Sequence, residues 1–211
     1  MFKPDATGQE TVLRSFMGSA DGGVPLAGVV IDSAGDIYGT TAAGGAGKAG
    51  IVYKLDMAGH ETVLHSFLGG SDGATPLAGV VVDSAGNLYG TTRAGGAASV
   101  GVVYKLDTAG NETVLHSFSG GSDGGLPAAS QALDSAGNLV GTAKSGGRVP
   151  GGGVVFKLDP TGHETVLHNF TGARPRADLS SIRRATFLEL RRLAGRRIWV
   201  SCSSSNCGSG D

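Results

Sequence analysis

The sequence has little cysteine and almost no net charge. Its two cysteines, Cys202 and Cys207, both lie within the last ten residues. The rest of the chain therefore holds neither a disulfide nor a thiolate-bound metal. The formal net charge is −1, which gives no whole-chain attraction to nucleic acid or to an anionic membrane. We therefore expect no nucleic-acid partner.

Several functional signatures are also missing. There is no phosphate-binding loop and no His-Glu-x-x-His pair, so the common nucleotide and zinc-protease motifs are excluded. No apolar run is long enough to span a bilayer, and the start at Met1 has no apolar signal core. We expect no cofactor, no metal and no membrane span. The protein either stays inside the cell or has an export signal outside this sequence.

The chain contains four copies of one motif. The copies begin at Glu10, Glu61, Glu112 and Glu164 and read Glu-Thr-Val-Leu-(Arg/His)-(Ser/Asn)-Phe, so the repeat is 51 or 52 residues long. Glycine is abundant, with 38 residues, and it recurs at fixed places in the repeat. This periodicity indicates tight turns between short strands rather than low complexity.

One repeat predicts four antiparallel strands. β-Branched and aromatic residues favour strands at Ile51–Leu55, Glu61–Phe67, Leu77–Val82 and Leu88–Thr92, with turn residues between them. A four-stranded meander of about 50 residues is the size of a propeller blade. Both faces of the Glu61–Phe67 strand carry apolar residues, so the units must stack to bury them.

We therefore predict an all-β protein of tandem propeller-like blades. The units are 1–50, 51–100 and 101–152, with a partial unit at 153–172. Closed propellers have about four to eight blades, so three units predict an open arc, a homo-oligomer that completes the ring, or a truncated protein. In a meander the two long loops of each unit share one end, and this long-loop face is the predicted binding face.

The repeat ends abruptly after Gly172. Residues 173–211 carry eight arginines against three acidic residues and show no repeat. Residues 178–194 have helical spacing, and the serine-rich end is expected to be flexible. This tail is either a basic amphipathic segment or an out-of-frame translation product, and we favour the second interpretation.

The amino-acid sequence of the repeat resembles that of a known family. The segments that carry the resemblance are Asp83–Thr92, Gly95-Gly96, Gly101–Leu106 and Glu112–Phe118. They are similar to the choice-of-anchor tandem repeat proteins of bacteria called GloVer-containing, over residues 5 to about 172. The resemblance implies a β-propeller-like protein exported to the cell surface or outside, and no established enzymatic activity carries over with it. The glycine pair also resembles kelch propellers, though only weakly.

Three loop aspartates are the candidate ligand-binding residues. Asp21, Asp72 and Asp123 each precede glycine in the long loop. They form either a ring of carboxylates or Asx turns that cap their own loop, and we favour the caps. The recurring His65, His116 and His168 are predicted to be half-buried structural residues rather than catalytic ones, because equivalent positions in a ring of blades are spread around its axis.

These observations give three alternatives for function. The first is a non-enzymatic secreted or cell-surface repeat protein that binds a glycan or a protein. The second is a propeller-type hydrolase or lyase acting on extracellular carbohydrate, with acids from the three loop aspartates. The third is a truncated or frameshifted fragment without a function of its own. We favour the first.

Overall fold

The computed structural model describes residues 1–4, 6–149 and 151–171. All regular secondary structure in this part of the chain is β. The strands are β1 Phe2–Pro4, β2 Glu10–Val12, β3 Val30–Ile31, β4 Ile37–Thr41, β5 Ile51–Leu55, β6 Glu61–Ser66, β7 Val81–Val82, β8 Leu88–Thr92, β9 Val102–Leu106, β10 Glu112–Ser117, β11 Gly125–Pro127, β12 Ala132–Leu133, β13 Leu139–Ser145, β14 Val154–Leu158 and β15 Glu164–Asn169. Within these residues no helix is long and apolar enough to cross a membrane.

The strands form three antiparallel meanders and one smaller sheet. Sheet A has the order β3-β4-β5-β6 and sheet B the order β7-β8-β9-β10. Sheet C has the order β11-β13-β14-β15, with β12 also paired to β13. Strands β1 and β2 pair only with each other among the described residues, and we call them the half-sheet. The predicted class, all-β with tandem four-stranded meanders, is confirmed.

The sheets are offset by half a repeat from the units numbered in the sequence. Sheet A takes β3 and β4 from unit 1–50, and β5 and β6 from unit 51–100. The segment 153–172 completes sheet C, and the incomplete sheet lies at the other end of the chain, in β1 and β2. A repeated sequence fixes the period but not the point at which a sheet begins. The predicted helix at 178–194 and the flexible end lie outside the described residues.

The tight turns follow the predicted chemistry. The Asp83 carboxylate accepts hydrogen bonds from the backbone N–H groups of Ala85 and Asn87, both at 2.9 Å. Gly86 has a φ of 83°, which glycine adopts without steric cost. This Asx turn joins β7 to β8, and its equivalent recurs before β4 and β13.

The third predicted strand of the repeat is much shorter than expected. Only Val81–Val82 of the predicted Leu77–Val82 is a strand, although Ala78 and Val80 are buried. Two features explain the irregular backbone. Pro76 has no N–H to donate, and a Cβ on Gly79 would lie 2.6 Å from the Gly28 carbonyl oxygen of the preceding sheet. Equivalent inner segments of neighbouring sheets thus crowd against each other.

The core lies between the sheets, as the two-sided apolar pattern predicts. Phe67 at the end of β6 meets Tyr104 of sheet B edge-on, with ring centroids 5.1 Å apart. Phe118 meets Phe156 of sheet C in the same way at 5.1 Å. Both phenylalanines are fully buried. Burying each should contribute roughly 1.5–3 kcal/mol, so the aromatic pairs hold consecutive sheets together.

The two long loops of each repeat lie at the same end, as predicted. Gly96 N–H donates to the Gly70 carbonyl at 2.9 Å, and Gly147 N–H donates to the Gly121 carbonyl at 2.8 Å. These bonds join the loop before β7 or β11 to the loop before β9 or β14. The loops of the long-loop face are therefore connected to each other by backbone hydrogen bonds.

Candidate functional site

Each junction between consecutive sheets brings together three polar side chains. They are the fifth residue of the repeated motif, the long-loop aspartate that follows it, and the first glutamate of the next copy. At the first junction Arg14 lies between the two carboxylates, with its Nη2 3.2 Å from Asp21 Oδ2 and 2.6 Å from Glu61 Oε2. A guanidinium with two carboxylates forms a compact ion cluster.

At the second junction a histidine takes the place of the arginine. His65 Nε2 lies 3.9 Å from Asp72 Oδ2 and 3.8 Å from Glu112 Oε2. The side chains of these residues are 19%, 17% and 11% exposed, respectively. The two distances are too long for hydrogen bonds, and His65 Nε2 has no hydrogen-bond partner among the described residues. Within residues 1–4, 6–149 and 151–171, no cationic side chain therefore forms a close ion pair with the acid pair of the second junction.

The third junction has the same arrangement. His116 Nε2 lies 3.4 Å from Asp123 Oδ2, and the adjacent Glu164 has its pKa raised by burial and by the charge of Asp123. The histidines were predicted to be half-buried; His65 and His116 are, whereas His168 is exposed, so the prediction is wrong for His168. The Nε2 atoms of His65 and His116 have no hydrogen-bond partner among the described residues.

The three candidate aspartates cap their own loops. In each, Oδ2 accepts a backbone N–H from four residues earlier: Met17 to Asp21 at 3.0 Å, Leu68 to Asp72 at 2.6 Å, and Ser119 to Asp123 at 2.7 Å. The capping hydrogen bond from Met17 is the largest cause of the lowered pKa of Asp21. Each aspartate belongs to a separate junction with different partners. No hydrogen bond or ion pair in the described ranges joins two of them.

The electrostatics differ between the first and second junctions. Burial raises the pKa of Glu61, and the charge of Arg14 opposes that shift. Burial, with the charge of Asp72 in addition, raises the pKa of Glu112 to about 7. Burial lowers the pKa of His65, and Asp72 opposes this. The pKa of Glu112 at the second junction is therefore raised without a cation to oppose the shift, whereas Arg14 opposes it at the first junction.

Both junction clusters open into surface depressions. One of about 420 Å³ is lined by Arg14, Asp21 and Glu61. The other, of about 400 Å³, is lined by Asp72 and Glu112. The two acidic residues of the second junction thus border a depression in the surface.

The second junction also offers a set of metal-binding atoms. One ligand atom each of His65, Asp72 and Glu112 lies within 4.8 Å of the others, and imidazole with two carboxylates suits a divalent transition metal. The sequence-based prediction had no metal site. Against a metal, Asp72 Oδ2 already accepts the Leu68 N–H, and the first junction fills the same place with a guanidinium.

The glutamates of the junctions were missed by sequence reasoning. Glu61, Glu112 and Glu164 were interpreted only as the first residues of strands. The sequence did contain a signal for these glutamates, because every copy of the motif begins with glutamate. Strand formation at an exposed position does not require that residue type. The cluster could not be assembled, because its members come from two different sheets.

The repeat identifies the family. The model of the Gloeobacter/Verrucomicrobia repeat matches residues 1–188. The chain belongs to this family. The GloVer resemblance is thereby confirmed. No protein of curated function matches it in sequence.

Among solved structures, similarity is distant. A putative gluconolactonase shares 17% identity with a TM-score of 0.43, over 69% of this chain and 48% of its own. The tricorn protease shares 14% with a TM-score of 0.42, over 70% and 13%. Dipeptidyl peptidase 4 of Porphyromonas gingivalis shares 16% with a TM-score of 0.40, over 74% and 19%. The chain thus spans about half the length of the first of these proteins, and the similarities carry no argument about activity.

Proposed function

We propose that this Gloeobacter/Verrucomicrobia repeat protein is a non-enzymatic binding scaffold that takes a protein ligand. The resemblance of its repeat supports a place at the cell surface or outside the cell. The observation that carries the proposal is the acid pair at the second junction, Asp72 and Glu112, in a solvent-open depression without a close cation.

The first junction supports a basic group as the ligand of the second. There, Arg14 supplies a guanidinium 2.6 Å from Glu61 and 3.2 Å from Asp21. A ligand that placed an arginine or lysine side chain in the second depression would make the same contacts. Such a ligand would lower the pKa of Glu112 from about 7, because a nearby positive charge favours the carboxylate. This chemistry favours a basic peptide segment over a neutral glycan.

Titration with short peptides tests the proposal. Tri-peptides with a central arginine should bind, and those with a central glutamine should not. Glu112→Gln and Asp72→Asn should abolish binding, while Glu10→Gln should not, since Glu10 opens the first motif copy but is exposed. Equal binding of the arginine and glutamine peptides would refute the role of the acid pair, and a positive glycan array would redirect the proposal to a sugar ligand.

A second candidate is a hydrolase or lyase acting on carbohydrate. One observation favours it: a carboxyl with a pKa of about 7 is suited to act as a general acid at neutral pH. The acid would be Glu112, with the loop aspartate Asp72 beside it. Turnover of a polysaccharide that is lost in Glu112→Gln with the fold retained would favour this candidate. No turnover across a polysaccharide panel would leave the binding scaffold as the better account.

A further inference from the structure

Three atoms of the kinds that bind metals converge at the second junction. His65 Nε2 lies 3.8 Å from Glu112 Oε2 and 3.9 Å from Asp72 Oδ2, and one ligand atom of each residue lies within 4.8 Å of the others. In a tetrahedral site with metal–ligand distances of about 2.0–2.2 Å, the ligand atoms lie about 3.3–3.6 Å apart. The two separations from His65 therefore exceed those of a coordinated arrangement by only roughly half an ångström.

The three side chains are positioned by separate elements of regular or hydrogen-bonded structure. β6 has a bulge immediately before His65, and a bulge re-aims the side chain beside it. The Asp72 carboxylate accepts the backbone N–H groups of Leu68 at 2.6 Å and of Gly70 at 3.1 Å. Glu112 is the first residue of β10. Ligands held in this way are preorganised, so their binding to an ion costs little additional ordering.

Lone pairs remain available on all three residues. Within the described ranges, His65 Nε2 and Glu112 Oε1 are buried and have no hydrogen-bond partner. Asp72 Oδ2 accepts the Leu68 N–H, but a carboxylate oxygen has two lone pairs, and the second can bind a cation. The hydrogen bond from Leu68 therefore does not exclude a metal at Asp72.

The first junction has a cation at the corresponding place. Arg14 Nη2 lies 2.6 Å from Glu61 Oε2 and 3.2 Å from Asp21 Oδ2, and it compensates the charge of a largely buried acid pair. The shorter His65 does not come within hydrogen-bonding distance of its two carboxylates. A divalent ion bound by the imidazole would bring positive charge to the equivalent position, where buried carboxylates require it.

We propose that His65, Asp72 and Glu112 form a binding site for one divalent transition-metal ion such as Zn²⁺. An imidazole nitrogen with carboxylate oxygens is a ligand set that suits zinc, and three protein ligands leave a fourth position for water. Asp72 and Glu112 border the depression of about 400 Å³, and the fourth ligand would lie on that side. The metal would share the acid pair of the proposed function, but its binding does not require a peptide ligand.

The three junctions differ in a way that predicts the number of ions bound. The first junction has Arg14 in place of the histidine, and a guanidinium has no lone pair to offer a metal. At the third junction His116 Nε2 lies 3.4 Å from Asp123 Oδ2. Among the described residues, however, only the second junction brings a histidine and two carboxylates together within 4.8 Å. We therefore expect one ion per chain.

Calorimetric titration of the metal-free protein with zinc chloride tests this inference. The full 211-residue chain is stripped with a chelator, and its two cysteines are alkylated so that thiolates do not contribute. We expect one equivalent of zinc to bind more tightly than any other. Calcium and magnesium should not displace it, because these ions prefer oxygen ligands throughout. His65→Ala and His65→Arg should each weaken the tight binding by about tenfold or more.

His116→Ala is the matched control. His116 has the equivalent position in the next copy of the motif, and its side chain is 18% exposed, against 19% for His65. The control should keep the tight equivalent of zinc, with an unchanged circular dichroism spectrum in all three variants. Absence of binding at millimolar zinc, or a tight equivalent that survives in both His65 variants, would overturn the proposal. Loss of the tight equivalent in His116→Ala would overturn it as well.

The peptide titrations of the proposed function are run in EDTA, so that the two binding events can be told apart. Binding of the arginine peptide in EDTA, together with no zinc binding by the parent chain, would overturn the metal site alone. Zinc binding that depends on His65, together with equal binding of the arginine and glutamine peptides, would overturn the proposed function and support the metal site.

Discussion

Replacing Glu112 by glutamine should make the protein more stable at alkaline pH and should leave its stability unchanged at acid pH. The Glu112 side chain is 11% exposed, and burial raises the pKa of its carboxyl to about 7, with the charge of Asp72 adding to the effect. His65 does not come close enough to compensate, at 3.8 Å. Glutamine keeps the shape of the protonated side chain and cannot ionise.

The size of the effect follows from the difference in pKa between the folded and unfolded states. The unfolded carboxyl titrates near 4.5, and the folded one near 7. Below the unfolded pKa both states are protonated and no penalty exists. Stability falls as the pH rises from about 4.5 to about 7, and above that the full penalty applies. Since a tenfold change in proton affinity is worth about 1.4 kcal/mol, the penalty is on the order of 3 kcal/mol.

Urea unfolding followed by circular dichroism measures this difference directly. At pH 8 the free energy of unfolding of Glu112→Gln should exceed that of the parent by roughly 2–4 kcal/mol, and at pH 4 the two should agree. Glu10→Gln is the matched control, because Glu10 opens the same motif but is exposed. It should change nothing at either pH. A destabilised Glu112→Gln at pH 8 would refute the reasoning, because it would mean that the carboxylate is stabilised in the fold.

The other predictions concern the junction and the core. His65→Arg should recreate the ion cluster of the first junction, so an NMR titration should show a lower pKa for Glu112, and a pKa that stays near 7 would contradict this. Tyr104→Phe should raise the free energy of unfolding in urea by about 1 kcal/mol. The buried Tyr104 hydroxyl has no hydrogen-bond partner among the described residues, and the next repeat has Phe156 at the equivalent position. Phe118→Ala should lower the free energy of unfolding by about 3–5 kcal/mol, because Phe118 is fully buried. A loss below about 1 kcal/mol would mean that sheets B and C are not packed there.

The period, the strands and the tight turns could be predicted because they depend on neighbouring residues. The Asp83 turn and the strand at Leu88–Thr92 are encoded within a few positions. The shortening of the strand at Leu77–Val82 could not be predicted, because it results from crowding against Gly28 of another sheet. The apolar run at these residues correctly indicates burial, but it does not indicate strand pairing.

The candidate site could be predicted only in part. The loop aspartates were found, and their preferred interpretation as caps matches the hydrogen bonds that Asp72 accepts from Leu68 and Gly70. Glu112 was not found, because its contact with His65 joins residues of two sheets. The left-handed backbone at Thr75, with a φ of 56°, was also missed. A β-branched residue rarely adopts that conformation, so no local rule would have suggested it.

The central claim is that consecutive sheets stack through one repeated aromatic contact. A NOESY spectrum of protein with labelled phenylalanine and tyrosine rings tests it most directly. The structure predicts cross-peaks between the rings of three pairs with centroids about 5 Å apart: Phe16 and Tyr53, Phe67 and Tyr104, and Phe118 and Phe156. A folded β protein that lacks these cross-peaks would contradict the stacked arrangement. Observation of all three would establish that the half-sheet packs on sheet A as each sheet packs on the next.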